Sequence, residues 1–325
     1  MNATSIPDRQ SVSRQQGSSS VFSRRTMLTA IYWFAFLILT AGSAVAQEDL
    51  LKELENSQPP STDYALATFK GTRLVNGHSI ETKSRGDLEF IFAHRFGRIN
   101  EGIYEFFGLD EAYVRLGLDY GFTDNLSASI GRNSVDKTVD AYLKYKLLRQ
   151  RRGATSFPVT MTALAGTAYK ASPRKDEVPE GFTSIDRLAY VGQLLIARKF
   201  SPRLSLQLSP TIIHKNAVDQ RIEDNTQLSI GAGGRFKLTK SVALTGEYYH
   251  RLNVPDANPY FNTFGLGVDI ETGGHVFQLV FTNTTGLTER AFITETEGDF
   301  GNGDIHFGFN ITRTFHLKRK KQDRS

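Results

Sequence analysis

Three segments of this chain repeat one short pattern: an apolar residue, Thr or Ser, two mostly polar residues, then Leu or Val. They are Phe122-Thr123-Asp124-Asn125-Leu126, Phe200-Ser201-Pro202-Arg203-Leu204 and Leu238-Thr239-Lys240-Ser241-Val242. A fourth tight connection is Glu271-Thr272-Gly273-Gly274. Alternating segments of about ten residues flank each one, and the connections at the opposite ends of those segments are longer or more irregular. Short turns at one end and long loops at the other, on antiparallel strands of that length, define an all-β fold. The pattern is that of a transmembrane β-barrel of an outer membrane.

From Asp87 onward the alternation predicts about twelve strands, near 87–97, 111–121, 126–134, 138–147, 157–169, 184–199, 204–214, 226–238, 242–251, 261–270, 275–283 and 304–316. Ten residues rising about 3.3 Å each, tilted by about 40°, cover about 25 Å, the height of an outer-membrane apolar band. Val139, Ala141, Leu143 and Tyr145 share one face, and Asp140, Tyr142, Lys144 and Lys146 the other. Val114, Leu116, Leu118 and Tyr120 likewise oppose Arg115 and Asp119, and Phe264, Leu266, Val268 and Ile270 oppose Asp269. A slip of one residue would put charges into lipid, which fixes the register.

An even strand number places both ends of the barrel on one side, the periplasm for an exported protein. The short turns fall on that side. The longer connections near 98–110, 170–183, 215–225, 252–260 and 284–303 fall outside. Two connections depart from the rule: 134–137 is short but external, and the Arg-rich 148–156 is longer but internal. A soluble sandwich, the bland alternative, would show shorter strands and evenly mixed loops.

Composition adds exclusions. Mean hydropathy is −0.32, as expected when every second strand residue faces a polar lumen. No cysteine is present, so no disulfide or thiolate chemistry is available. The net charge of +5 resides in the ends: residues 1–46 carry +3 and residues 318–325 carry +4, leaving −2 for the body. That distribution offers no groove for nucleic acid.

Arg24-Arg25, the apolar run Met27–Thr40 and the small residues ending at Ala46 form a secretory signal with cleavage expected after Ala46. The twin arginine is read as an ordinary positive flank, because a barrel must be exported unfolded. Residues 1–46 are thus a signal peptide with a long polar extension, and 47–63 a flexible acidic lead. Residues 64–86 are an N-terminal hairpin around Asn76-Gly77, placed as a plug, in the wall or beneath it. The barrel spans 87–316, and 317–325 form a basic periplasmic tail.

Several stretches, among them Ala67–Arg73, Ala93–Gly97, Phe107–Asp110, Lys144–Gln150, Gln193–Phe200, Asp269–Leu279 and Gly303–Asn310, resemble the bacterial β-barrel family filed as domain of unknown function 5777. The resemblance runs from about Thr62 to Phe315. It implies a membrane barrel and carries no reaction, substrate or functional residue with it. The basic tail after Phe315 departs from barrels that end on an aromatic recognised by the assembly machinery, so the equivalent signal is internal here.

Candidate lumen-lining charges are Arg115, Asp119, Asp140, Lys144, Lys146, Arg187, Glu247, Arg251 and Asp269. They either screen solutes in an open pore or pair with one another in a filled lumen. His94, His214, His250, His275, His306 and His316 lie near strand ends without metal-ligand spacing. A calcium candidate is the loop holding Asp299, Asn302 and Asp304, which lacks the full spacing of a calcium-binding loop. His78-Ser79 are neighbours on opposite faces of an expected strand, which leaves Ser without a base and argues against a lipid hydrolase. No cofactor is expected. The expected partners are outer-membrane lipid, the barrel-assembly machinery and an unidentified small solute. The expected function is a passive channel or narrow solute route, with a non-conducting barrel that anchors envelope partners as the alternative.

Overall fold

The computed structural model describes residues 62–172 and 181–317. The expected signal peptide, nearly all of the lead and the basic tail lie outside the described residues. Fourteen strands are seen there: β1 (Thr62–Tyr64), β2 (Asp87–Arg98), β3 (Tyr113–Gly121), β4 (Leu126–Asn133), β5 (Val139–Leu148), β6 (Arg151–Gly153), β7 (Thr160–Tyr169), β8 (Leu188–Lys199), β9 (Leu204–Lys215), β10 (Thr226–Lys237), β11 (Val242–Arg251), β12 (Thr263–Thr272), β13 (His275–Thr282) and β14 (His306–His316). Twelve of them form a closed antiparallel barrel in chain order, sealed by β14 against β2. β1 and β6 make a separate two-stranded sheet. No helix among the described residues is long and apolar enough to cross a membrane.

The predicted faces are the observed ones. On β5, Leu143 is 55% exposed while its neighbour Lys144 is 1% exposed. Ile130, Leu116, Leu118 and Leu266 also face outward, with Arg115, Asp119 and Asp269 buried inside. Nearly every backbone group in this wall finds its partner on a neighbouring strand, which is what lipid demands.

The repeated turn pattern has a hydrogen-bond reason. In the first copy, the Phe122 and Thr123 N–H groups donate to the Leu126 carbonyl at 2.9 and 3.2 Å. The Thr123 hydroxyl in turn accepts from the Asn125 and Leu126 N–H groups at 3.2 and 2.9 Å. Ser201 and Thr239 do the same in the other two copies. A side-chain hydroxyl at that position satisfies turn donors that the ladder cannot reach.

Both departures from the loop-length rule are explained. The Arg-rich connection is longer because Arg151–Gly153 pairs with Thr62–Tyr64, and Arg149 lies over the Tyr64 ring at 4.7 Å. The short connection 134–138 closes through Asp136 and Lys137, both with positive φ of 52° and 49°. Such values are uncommon outside Gly, and here they project Asp136 toward Lys170 and Arg290 at 2.8 and 3.0 Å.

Candidate functional site

Residues 65–86 carry the Asn76-Gly77 turn that sequence signals as a hairpin, yet they supply no strand to the wall. β2 already pairs on both edges, with β3 and β14. The segment turns back inside the barrel instead. Its turn is closed by the Leu74 N–H donating to the Gly77 carbonyl at 2.8 Å, and its ladder is a single bridge between Arg73 and His78. Gly77 is required at the tip, because a Cβ there would overlap the Tyr249 phenol.

Lumen-facing side chains satisfy the segment's backbone. Glu247 accepts from three successive N–H groups, those of Val75 at 3.2 Å, Asn76 at 2.7 Å and Gly77 at 3.1 Å. Gln207 bonds both sides of the chain, accepting from the Ile80 N–H at 2.9 Å and donating to the His78 carbonyl at 2.7 Å. Lys144 donates to the Glu81 carbonyl at 2.8 Å, Thr162 to the Ile80 carbonyl at 2.9 Å and Asn310 to the Val75 carbonyl at 2.9 Å. Gln278 donates to the Leu74 carbonyl. Arg95 reaches Asn76 Oδ1 at 2.9 Å and Ser127 accepts from the Lys83 N–H at 2.9 Å. A small apolar cluster of Phe69, Leu74 and Ile80 packs on Leu195 and Ala197 of β8.

From the long-loop end, residues 283–296 fold inward and form a short helix, α1 (Glu289–Thr294), whose residues are all buried. Phe292 meets the Tyr249 ring at 5.2 Å. The two intruding segments touch: Arg73 Nη1 lies 2.8 Å and His78 Nε2 3.2 Å from Glu289 Oε1. Above α1 opens a vestibule of about 930 Å³. A void of about 30 Å³ lies beside the segment and one of about 10 Å³ between α1 and the wall strands β5, β7 and β8, room for roughly one or two waters each.

The predicted site residues separate by height. Arg115 binds Asp140 through two hydrogen bonds of 3.0 and 2.5 Å, and Tyr142 donates to Asp119 at 2.5 Å. Lys146 lies 3.5 Å from Glu81. Asp269 accepts from Gln278 at 2.6 Å and lies 3.6 Å from Arg235. Glu247 and Lys144 hold the inner segment, as above. Arg187 stands instead at the rim, just before β8, donating to the Ala171 carbonyl at 2.9 Å and lining the vestibule. Arg251 closes the end of β11, donating to Asn258 Oδ1 at 3.0 Å and to the Tyr260 carbonyl.

The acidic loop spends its oxygens internally. Asp299 accepts from the Gly301 N–H at 2.8 Å, and Asp304 accepts from Asn100 at 2.7 Å and the Asp299 N–H at 3.0 Å. The Asn100 amide, followed by that N–H, holds the Asp304 carboxyl below its ordinary value. Asn302 belongs to the same 3₁₀ turn. No group of three or more His, Asp or Glu among the described residues is placed to hold a metal. Ser79 donates to the Gly71 carbonyl at 2.6 Å and has no bond to His78.

Sequence reading missed Arg95, Gln207, Gln278 and Asn310, although each sits at an inward register position opposite outward Phe or Leu. That signal was available. It also missed Arg73 and Glu289, for which no periodicity exists.

A closed twelve-stranded barrel with an apolar outer face and a charged, hydrogen-bonded interior is an outer-membrane β-barrel protein. Residues 69–315 match the model of the family described as membrane-bound beta barrel domain, DUF5777, and the chain belongs to that family. No curated protein sequence matches it. Among solved structures, it is similar to the KdgM porin, at 10% identity and a TM-score of 0.45, covering 70% of this chain and 99% of that one. A second structure is titled KdgM porin in complex with disordered oligogalacturonate, at 9% identity and a TM-score of 0.43, covering 71% and 99%. Omp33 of Acinetobacter baumannii follows at 8% identity and 0.41, covering 70% and 98%.

Proposed function

We propose that this protein is a solute route of the outer membrane, held shut in this conformation by its own residues 65–86. The observation that carries the reading is the way the segment is held. Its backbone is bound by polar side chains of the lumen, and those groups would be satisfied by water once it left. The buried apolar side chains of the segment, Phe69, Leu74, Val75 and Ile80, oppose withdrawal, since it would expose apolar surface, and they make the shut state the resting one. Barrels of this size lie between filled and open cases, so loss of a 22-residue insert restores a wet passage.

In this reading residues 1–46 are removed as a signal peptide, the short turns and both mature ends face the periplasm, and the assembly machinery reads an internal signal. The vestibule then faces outward. Its described lining carries eight carboxylates (from Glu101 to Glu297) against five Lys and Arg side chains. The excess negative field favours cationic or neutral solutes over polyanions.

Planar-bilayer recording tests the route. The mature chain is expected to show rare openings, and deletion of residues 65–82 steady conductance with cation preference. A deleted barrel that folds, judged by a heat-shifted band on a detergent gel, yet stays silent would establish the anchoring barrel instead. The filled lumen is the observation that favours this second reading.

A further inference from the structure

Three observations meet where the inner segment touches α1. Glu289 Oε1 is shared by Arg73 at 2.8 Å and His78 at 3.2 Å. His78 is fully buried, its ring edge-on to Tyr142 at 4.2 Å, and neither ring nitrogen has a well-formed hydrogen bond. The wall around them is charged: Lys144 and Asp140 on β5, Arg115 and Asp119 on β3, with Arg73 on the segment itself and Glu289 on α1. Arg290 of α1 is committed to Asp136 and Glu295.

We infer that the Arg73–His78–Glu289 junction is an acid-released latch, which holds residues 65–86 in the lumen at neutral pH and lets them go when His78 takes a proton. The inference rests on the segment being the gate proposed above and adds what would operate it.

The charge balance gives the sign. With His78 neutral, three cations (Arg73, Arg115, Lys144) face three anions (Asp119, Asp140, Glu289) in a dry space. A proton on His78 adds a fourth cation against three anions, and the carboxylate it faces, Glu289, must then be shared with Arg73. An uncompensated buried charge is strongly destabilising. Arg73 and His78 ride on the segment, while Arg115 and Lys144 belong to the wall, so withdrawal of the segment relieves the repulsion. The withdrawn state presents a solvated histidine, which protonates at a pH of about 6.5. The plugged state refuses that proton. The latch is therefore fully closed above that pH and weakens progressively as pH falls below it. His78 is the residue of this cluster whose ordinary titration lies in that range.

The chain has no cysteine, which permits a direct readout of segment position. Val75→Cys places a single thiol at the buried tip of the segment. Its labelling by a charged methanethiosulfonate, in folded barrels in detergent and normalised to the same variant unfolded in urea, is expected to rise about tenfold or more between pH 7.5 and pH 5, because the withdrawn state takes up the proton that the plugged state refuses. Adding His78→Asn should leave labelling slow at both pH values. Adding Glu289→Gln should make it fast at both, because Arg73 then loses its anion. A flat pH profile in the Val75→Cys chain overturns the latch without recourse to any further variant. A rise that persists in His78→Asn also overturns it. Labelling reads the segment and not ion flow. A pH-dependent label in an electrically silent barrel supports the latch while rejecting the solute route, and a flat label in a conducting barrel rejects the latch alone.

Discussion

The wall and the segment inside it solve the same problem by different means. β5 pairs with β4 and β7 along nearly its whole length, so its backbone is satisfied by backbone. Residues 65–86 have one bridge of their own and a few other backbone partners at their ends, and side chains from eight of the twelve barrel strands bond the stretch between. A ladder in lipid has no alternative partner, so it cannot open locally. Side-chain bonds to a buried loop exchange with water at small net cost each. The difference teaches that permanence and removability are set by what satisfies the backbone.

Asp140→Ala should break the wall most severely, because it strands Arg115 in a dry lumen. The expected loss is about 3–5 kcal/mol, seen as a lower urea midpoint and a weaker heat-modifiable band. Unchanged stability would mean that Arg115 finds water, and that the lumen is wetter than its voids suggest.

Leu143→Arg comes next, at about 2–4 kcal/mol if position 143 lies near the midplane, with failure of insertion as the readout. Its neighbour sharpens the contrast. From alternation alone, Lys144→Glu would insert normally and shift ion preference in an open lumen. The structure adds that Lys144 donates to carbonyls of the inner segment, so a carboxylate there repels them. Lys144→Glu is therefore expected to insert like the parent chain and to conduct more often. A Leu143→Arg chain that folds beside a Lys144→Glu chain that does not would invert the register.

Glu247→Ala removes the acceptor of three N–H groups and should cost the segment about 1–3 kcal/mol while sparing the wall. Loosening by that amount raises the open fraction about fivefold to a hundredfold, which single-channel recording resolves against an unchanged unfolding midpoint. A matching fall in that midpoint would show that segment and wall unfold as one. The smallest effect is expected from Arg221→Ala, whose exposed pair with Asp219 stands on a loop. Neither conductance nor stability should change measurably.

Alternation alone determined the wall: twelve strands, their register and their outward faces follow from a period of two residues, because lipid punishes any slip. The Thr and Ser of the repeated turns were legible for the same local reason, since each hydroxyl serves N–H groups two and three residues ahead. The inner segment was not legible. An Asn-Gly hairpin reads the same whether it joins a sheet or fills a lumen, and what excluded it from the wall was β14 occupying the free edge of β2, 220 residues away. The partners of Glu247 and Arg73 stand 170 and 216 residues along the chain. Only closure of the barrel brings such groups together, so only the tertiary structure decided that the lumen is occupied and where it is latched.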